Sequence, residues 1–340
     1  MSLSTLERTV DINKVPTKTL RTGAIMPAIG LGTFGSDRFT AEQVSEAVMG
    51  ALKAGYRFLD CASIYGNEDQ IGKVLSDAMA DLNLPREAFF VTSKVWNDQH
   101  DDVINACKKT LADLQVDYLD LYLVHWPFPN FHPIGCDVDS RSADATPYIH
   151  DEFMKTWRQM EQLVDMGLVK AIGTSNMTIP KMELLLRDAR VLPSVNEMEC
   201  HPLFQQQDLY DYLTENQIVP VGFCPIGSPS RPDRDKTEND LVDTEHPVIV
   251  NAAKRLGVHP AIVCLKWAVQ RGHVPIPFSV RESEYVSNLK CATENPLTDQ
   301  EMRDISKIDA DNRLIKGQVF LWQGAKGWED LWDLDGTITK

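Results

Sequence analysis

Eight short runs rich in β-branched and aromatic residues recur along this chain, and stretches of helical periodicity separate them. The runs are AIGLGTF (28–34), YRFLDC (56–61), FFVTSKV (89–95), YLDLYLVH (118–125), VKAIGTSN (169–176), SVNEMEC (194–200), VPVGFCP (219–225) and VPIPFS (274–279). Most are almost continuously apolar, as strands of a parallel sheet buried on both faces are. Between them, TAEQVSEAVMGALKAG (40–55), DDVINACKKTLADL (101–114), FMKTWRQMEQLVDMG (153–167) and IPKMELLLRDA (179–189) carry apolar residues at helical spacing. Thr40 followed by Gln43 makes a capping box, and Gly55 a helix stop. Eight strand–helix units in one chain predict an α/β fold, a (β/α)8 TIM barrel filling residues 1–340 as one domain. Residues 17–31 read as a polar hairpin ahead of it. Segments 126–152 and 226–246, and the tail from 309 with Phe320, Trp322, Trp328 and Trp332, exceed plain connectors. Long loops on the C-terminal face of a barrel shape a substrate site.

With 43% hydrophobic residues among 340, a sizeable core can form. The balance of 34 basic against 49 acidic residues, net −15, argues against nucleic acid and anionic membrane surfaces as partners. No run of eighteen apolar residues suggests a membrane helix, and the first sixteen residues lack a signal-peptide core. Seven scattered cysteines, an odd number without CxxC, fit reduced thiols in the cytoplasm and give no zinc-ligand spacing, so no metal is expected.

Residues 30–35, GLGTFG, match the dinucleotide fingerprint, and Asp60 follows about one βαβ step later. A doubly wound dehydrogenase is therefore the competing fold. Pro27 and the short run before the glycines make a poor central strand, however. That fold also leaves four polar residues at later strand ends unexplained: Asp60 and Tyr65 after RFLD, Lys94 after FFVTS, and His125 after YLDLYLV. A carboxylate, a phenol, an ammonium and an imidazole on one barrel rim suit proton transfer during carbonyl reduction by hydride.

The ordered run GYRFLDCASIYGNE, VTSKVW, LYLVHWP, AIGTSN, ECHP and IPFS, from about Met26 to Asn288, resembles the aldo-keto reductase family. The resemblance implies a barrel that binds extended nicotinamide coenzyme, with Asp60, Tyr65, Lys94 and His125 as its catalytic tetrad. Tyr65 would protonate the carbonyl oxygen, Lys94 would lower the phenol's pKa, Asp60 would hold Lys94, and His125 would orient the carbonyl. It also implies a coenzyme site at Gly32, Thr33, Asp60, Ser175, Asn176, Glu197, Phe223, Cys224, Ile226, Ser228, Ser279, Arg281 and Asn288.

Several positions depart from the family pattern. Glu197 stands where glutamine is usual; if ionised it would favour the cationic oxidised nicotinamide. Phe223 replaces a stacking tyrosine and keeps the ring without the hydroxyl. Ser230 replaces an acid, so any clasp over the coenzyme is altered. Where a lysine, a serine and an arginine usually hold a 2′-phosphate, this chain has Phe278, Ser279 and Glu284, with Arg281 nearby. A carboxylate repels a phosphate and accepts a ribose diol. NAD(H) is therefore favoured, with NADP(H) the second choice.

Phe34, Trp96, Trp126 and Trp322 are the substrate-pocket candidates, and no cationic cluster calls for a phosphorylated substrate. A polyhydroxylated carbonyl such as a sugar fits best. By the same family resemblance, His125, where a glutamate would suit steroid double-bond reduction, argues against that reaction. The same fold also serves as a catalytically silent, coenzyme-binding regulatory subunit of potassium channels and as a lens structural protein. The intact tetrad favours an enzyme, a monomer or weak homodimer acting on small carbonyls.

Overall fold

The computed structural model describes residues 10–131, 142–229 and 231–339. β1 (Thr17–Thr19) and β2 (Ile25–Pro27) pair antiparallel as the predicted hairpin, with Lys18 opposite Met26. Its apolar residues plug the bottom of the barrel. Leu20 and Met26 are buried with Phe58, Phe90, Leu121, Leu123, Val195, Val221 and Val274.

The barrel strands follow in chain order, each parallel to the next. They are β3 (Leu31–Gly32), β4 (Phe58–Asp60), β5 (Phe90–Val95), β6 (Leu121–Val124), β7 (Ile172–Ser175), β8 (Val195–Glu199), β9 (Val219–Phe223) and β10 (Val274–Pro275). The ring closes where Gly30 N–H donates to the Pro275 carbonyl and Gly32 N–H to the Pro277 carbonyl, both at 3.0 Å. Pro275 and Pro277 have no N–H to return, so the seam is bonded from one side only. This explains why the runs 28–34 and 274–279 each yield only two strand residues. The seam is also tight. A Cβ on Gly30 would lie 2.6 Å from the Phe58 ring, and one on Gly32 would lie 2.9 Å from the Ile276 carbonyl. The first two glycines of GLGTFG thus serve barrel closure, not a doubly wound phosphate turn.

The helices are α1 (Ala41–Ala54), α2 (Glu68–Leu82), α3 (Val103–Asp113), α4 (His150–Asp165), α5 (Ile179–Asp188), α6 (Gln207–Glu215), α7 (Pro247–Leu256), α8 (Pro260–Arg271), α9 (Glu282–Lys290) and α10 (Asp299–Ile305). α1 starts on the predicted Thr40–Gln43 capping box and stops at Gly55, whose φ of 121° favours glycine. Its buried stripe, Val44, Val48, Ala51 and Leu52, packs into the main core between sheet and helices. β9 is followed by two helices, α7 and α8, before β10. Among the described residues no single helix is long and apolar enough to cross a membrane. The six described cysteines are free thiols; Cys136 lies outside the described residues.

Beyond the C-terminal ends of β5 and β6, Trp96, Trp126, Phe128, Phe320, Trp322 and Trp332 form a separate aromatic cluster with the tail. A buried cation fastens that tail. Lys181 Nζ on α5 donates to Asp333 Oδ2 at 2.6 Å and to the Leu331 carbonyl at 2.8 Å.

Candidate active site

Parallel strands point their C-terminal ends to one rim, and there the polar residues converge. Asp60 ends β4, Lys94 lies in β5, His125 follows β6, and Glu197 lies in β8. Tyr65 arrives on a single 3-10 turn, Ser63–Tyr65, which Gly66 ends at a φ of 64°. Ser63 Oγ donates to the Lys94 carbonyl and ties this turn to β5. Lys94 Nζ is the hub. It is fully buried and lies 2.6 Å from Asp60 Oδ2, 3.2 Å from the Cys61 carbonyl, 3.4 Å from Glu197 Oε1 and 3.5 Å from Tyr65 Oη. His125 stands edge-on to Tyr65, with ring centroids 5.9 Å apart, and edge-on to Trp96 at 5.0 Å.

Burial penalises every charge in this group, and the pairings decide which charges survive. Burial alone would lower the Lys94 pKa, but Asp60, Glu197 and Tyr65 outweigh it and hold the group as ammonium. The Tyr65 phenol is pushed above its ordinary range by burial; Lys94 opposes, while Asp60 and Glu197 add to the rise. It is a protonated phenol at neutral pH. Burial, then Lys94, hold His125 far below the usual imidazole range, so it is neutral. Burial raises both Asp60 and Glu197, and Glu197 reaches about 8. The two carboxyls lie in hydrogen-bonding contact and titrate together. Asp60 has the shorter bond to Lys94 and keeps the charge, which leaves the shared proton on Glu197. Burial and the neighbouring Asp60 thus favour the protonated Glu197 carboxyl, so the ionised form, on which a preference for oxidised nicotinamide depends, belongs to higher pH.

A cleft of about 1520 Å³ opens over these groups. Asp60, Tyr65, His125 and Glu197 form its floor at one end. Gly32, Thr33, Ser175, Asn176, Phe223, Cys224, Ile226, Ser228 and Asn288 line it as it runs toward α9. Thr33 Oγ1 donates to the Asp60 carbonyl at 2.8 Å and fixes the β3 exit against β4. Asn176 has a φ of 60°, which asparagine tolerates, and its Nδ2 donates to the His125 carbonyl at 3.0 Å. Cys224 and Ser228 also turn through positive φ. Asn176 Oδ1 is a buried acceptor without a donor, the kind of vacancy a carboxamide N–H fills. The donor set therefore fits a nicotinamide at this end.

Ser279 and Arg281 are corrected in part, since neither lines the cleft. Ser279 is buried and donates to Glu284 Oε2 at 2.7 Å; Arg281 is exposed and pairs with Glu284 Oε1 at 2.8 Å. Both partner Glu284, which with Phe278 does line the cleft. Burial would raise Glu284, but Ser279 and Arg281 hold it low, as a carboxylate.

Phe34, Trp96 and Trp126 wall the cleft near Tyr65, with Phe34 and Tyr65 centroids 5.2 Å apart. Trp322 does not line it. It packs into the tail cluster, and Phe320 presents its ring to the cleft instead, 4.6 Å from Trp126. Ile315, Gly317 and Val319 join it. Sequence gave no means of ranking these tail residues, because several aromatics share the segment and only packing decides which faces inward. Arg231 was missed as well. It is buried in the loop after β9, donates to the Ser228 carbonyl and pairs with Asp240. Nothing in PSRPDRD marks it. Ser230 lies outside the described residues.

A model of the aldo/keto reductase family matches residues 28–310. An aldo/keto reductase of Synechocystis sp. is 38% identical over 95% of this chain and 98% of its own length. Aldo-keto reductase family 1 member A1 of Homo sapiens is 40% identical over 87% of this chain and 90% of its own. The solved structure of the aldose reductase from Schistosoma japonicum superimposes with a TM-score of 0.78 at 31% identity, covering 92% of this chain and 98% of that one. In sequence, in barrel topology and over almost its whole length, the chain belongs to the aldo-keto reductase family.

Proposed function

We propose that this chain reduces an aldehyde or ketone to an alcohol with a nicotinamide coenzyme, reversibly, with Tyr65 as the proton donor. The observation that carries the reading is Lys94 Nζ, fully buried and shared between Asp60 and Tyr65, which themselves line the floor of a cleft. The coenzyme, when bound, supplies a hydride to the carbonyl carbon. Ser175, Asn176 and Glu197 would hold its carboxamide, and Phe223 would lie under its ring. The neutral His125 imidazole orients the carbonyl oxygen. As negative charge grows on that oxygen, Tyr65 gives up its proton to it. The Lys94 ammonium stabilises the phenolate left behind, and Asp60 keeps the ammonium charged and aimed. In alcohol oxidation the same phenolate takes the hydroxyl proton.

At the adenosine end, Glu284 remains a carboxylate with Ser279 and Arg281 as its partners. That supports NAD(H) over NADP(H), since a 2′-phosphate would meet a negative charge. An aromatic wall of Phe34, Trp96, Trp126 and Phe320 over a polar floor supports a carbonyl with both apolar and hydroxylated parts, including a sugar.

The test is Tyr65→Phe. Turnover should fall by about a thousandfold or more, while coenzyme quenching of tryptophan fluorescence persists. Turnover within tenfold of the parent would overturn the role of Tyr65. A parent that binds coenzyme and reduces no carbonyl would instead favour a coenzyme-binding regulatory module.

A further inference from the structure

Two features of the rim are not needed by a four-residue mechanism. The first is a second buried carboxyl on the same ammonium: Glu197 Oε1 lies 3.4 Å from Lys94 Nζ, beside the closer Asp60 at 2.6 Å. The second is a pair of orphaned acceptors. Asp60 Oδ1 and Glu197 Oε2 are both buried without a donor, although their carboxyls are in hydrogen-bonding contact with each other. One proton between the two carboxyls satisfies this arrangement, because a protonated carboxyl donates where an ionised one cannot.

We propose that Glu197 is a fifth proton-holding group of this centre, a positioning residue that acts on Tyr65 through the shared Lys94 ammonium. The inference rests on the reductase reading above and adds the pH window within which Tyr65 is an effective acid. With Glu197 neutral, Lys94 faces one carboxylate, and its remaining field stabilises the phenolate that forms when Tyr65 donates. With Glu197 ionised, the ammonium is divided between two carboxylates, and the phenolate forms beside an additional negative charge. Tyr65 is then the weaker acid and reduction slows. The ionised carboxylate also faces the nicotinamide end of the cleft and strengthens binding of the cationic, oxidised coenzyme relative to the neutral, reduced ring.

Glu199, two residues along β8, is committed to His201 and to the Leu314 and Ile315 amides, which leaves few charged and titratable groups around Glu197. Asp60 comes from β4, Lys94 from β5 and Tyr65 from the turn after β4. His125, beyond β6, is neutral. The adjoining strands contribute Ser175 from β7 and Val221 from β9 as register partners, neither of them charged. A proton leaving this centre near pH 8 is therefore that of the Asp60–Glu197 pair.

The size of the effect follows from geometry. Glu197 Oε1 and Tyr65 Oη are both within 3.5 Å of one nitrogen, so they are at most about 7 Å apart. A charge at that range, expressed halfway in the transition state, changes the rate on the order of fivefold to tenfold. For the parent enzyme, kcat/KM for carbonyl reduction should fall by about that factor across a step near pH 8, before the Tyr65 limb. The ratio of Kd for oxidised to reduced coenzyme, read by tryptophan fluorescence, should fall several-fold over the same step. In Glu197→Gln, which keeps shape and hydrogen bonding but cannot ionise, both steps should vanish. Glu197→Met, also without the acid, should give the same flat profiles and covers the case in which the amide rearranges the site. Persistence of either step in both variants would overturn the proposal while leaving the reductase reading intact. A parent that turns over no carbonyl would overturn the reductase reading itself, and this inference with it.

Discussion

Lys94→Met removes the hub of the site, and its consequences can be worked from three distances. The ammonium lies 3.5 Å from Tyr65 Oη, where it stabilises a phenolate by about 5 kcal/mol at an effective dielectric of about 20. Asp60, 2.6 Å from the ammonium and so about 6 Å from the phenol, repels the phenolate by about 3 kcal/mol on the same scale. Without Lys94, burial drives a proton onto Asp60, and that repulsion disappears with the attraction. The net Coulomb loss is about 2 kcal/mol. Loss of a hydrogen bond to a charged group adds about 2 kcal/mol more. If half of the total is felt in the transition state, kcat/KM falls about 30-fold. An enzyme cannot shift the equilibrium of its reaction, so at one pH and with unchanged coenzyme affinities the loss must be equal in both directions. The assay is steady-state carbonyl reduction and alcohol oxidation at pH 7 with coenzyme saturating. Lys94→Met with Asp60→Asn serves as a control for folding, because the single variant risks an unpaired buried charge. Activity within threefold of the parent in both directions, or a loss confined to coenzyme affinity, would refute the assignment of Lys94 to Tyr65.

Two further outcomes follow from buried and half-buried charges. Glu284→Gln keeps a partner for Ser279 and removes the negative charge at the adenosine end; NADPH affinity should rise about tenfold and NADH affinity by less than threefold, by fluorescence titration, and equal changes would count against coenzyme choice at this position. His201 is fully buried between Glu199, 3.1 Å from its Nε2, and Asp243, 2.9 Å from its Nδ1; burial opposes its charge, but the two carboxylates raise its pKa to about 9. A folded pKa above the unfolded value of about 6.5 gives stability that is full below that pH and lost as pH rises through about 9. The amount is about 3 kcal/mol. The melting temperature should fall from pH 6.5 to 9.5 in the parent and change much less in His201→Gln.

The barrel was legible in the sequence because its strands are buried on both faces and its helices carry apolar stripes; both patterns are local. Asp60, Tyr65, Lys94 and His125 were legible for a related reason: residues at consecutive strand ends must meet on one rim once the barrel is granted. Three things were not. The seam between β3 and β10 depends on which backbone groups can donate, and two prolines decide that across a gap of about 245 residues. The charge state of Glu197 depends on how many carboxyls share one ammonium, a count that only three-dimensional neighbours supply. The exchange of Trp322 for Phe320 at the cleft depends on how the tail lies, and its local sequence is equally aromatic at both positions.

That tail is held from several sides, and its anchors all lie away from the reacting groups. Glu199 accepts from the backbone N–H groups of Leu314 and Ile315 at 2.7 and 2.9 Å. The same carboxylate also holds His201, and through it Asp243 of the loop after β9. Lys316 reaches Asp240 of that loop at 3.2 Å, and Asp240 also pairs with the buried Arg231. Farther along, Lys181 fixes Asp333. Phe320 and Val319 therefore stand in the cleft between two sets of fastenings, one shared with the coenzyme loop and one on α5. Such a layout lets residues between the anchors vary, and so alter the carbonyl that fits, without disturbing Asp60, Tyr65, Lys94 or His125. The cost of the anchors falls on burial of charge rather than on packing: each pair must remain complete, because removing one partner of a buried pair costs about 3–5 kcal/mol. Substrate range in this chain is thus separable from its proton chemistry, and the separation resides in ion pairs that lie apart from Asp60, Tyr65, Lys94 and His125.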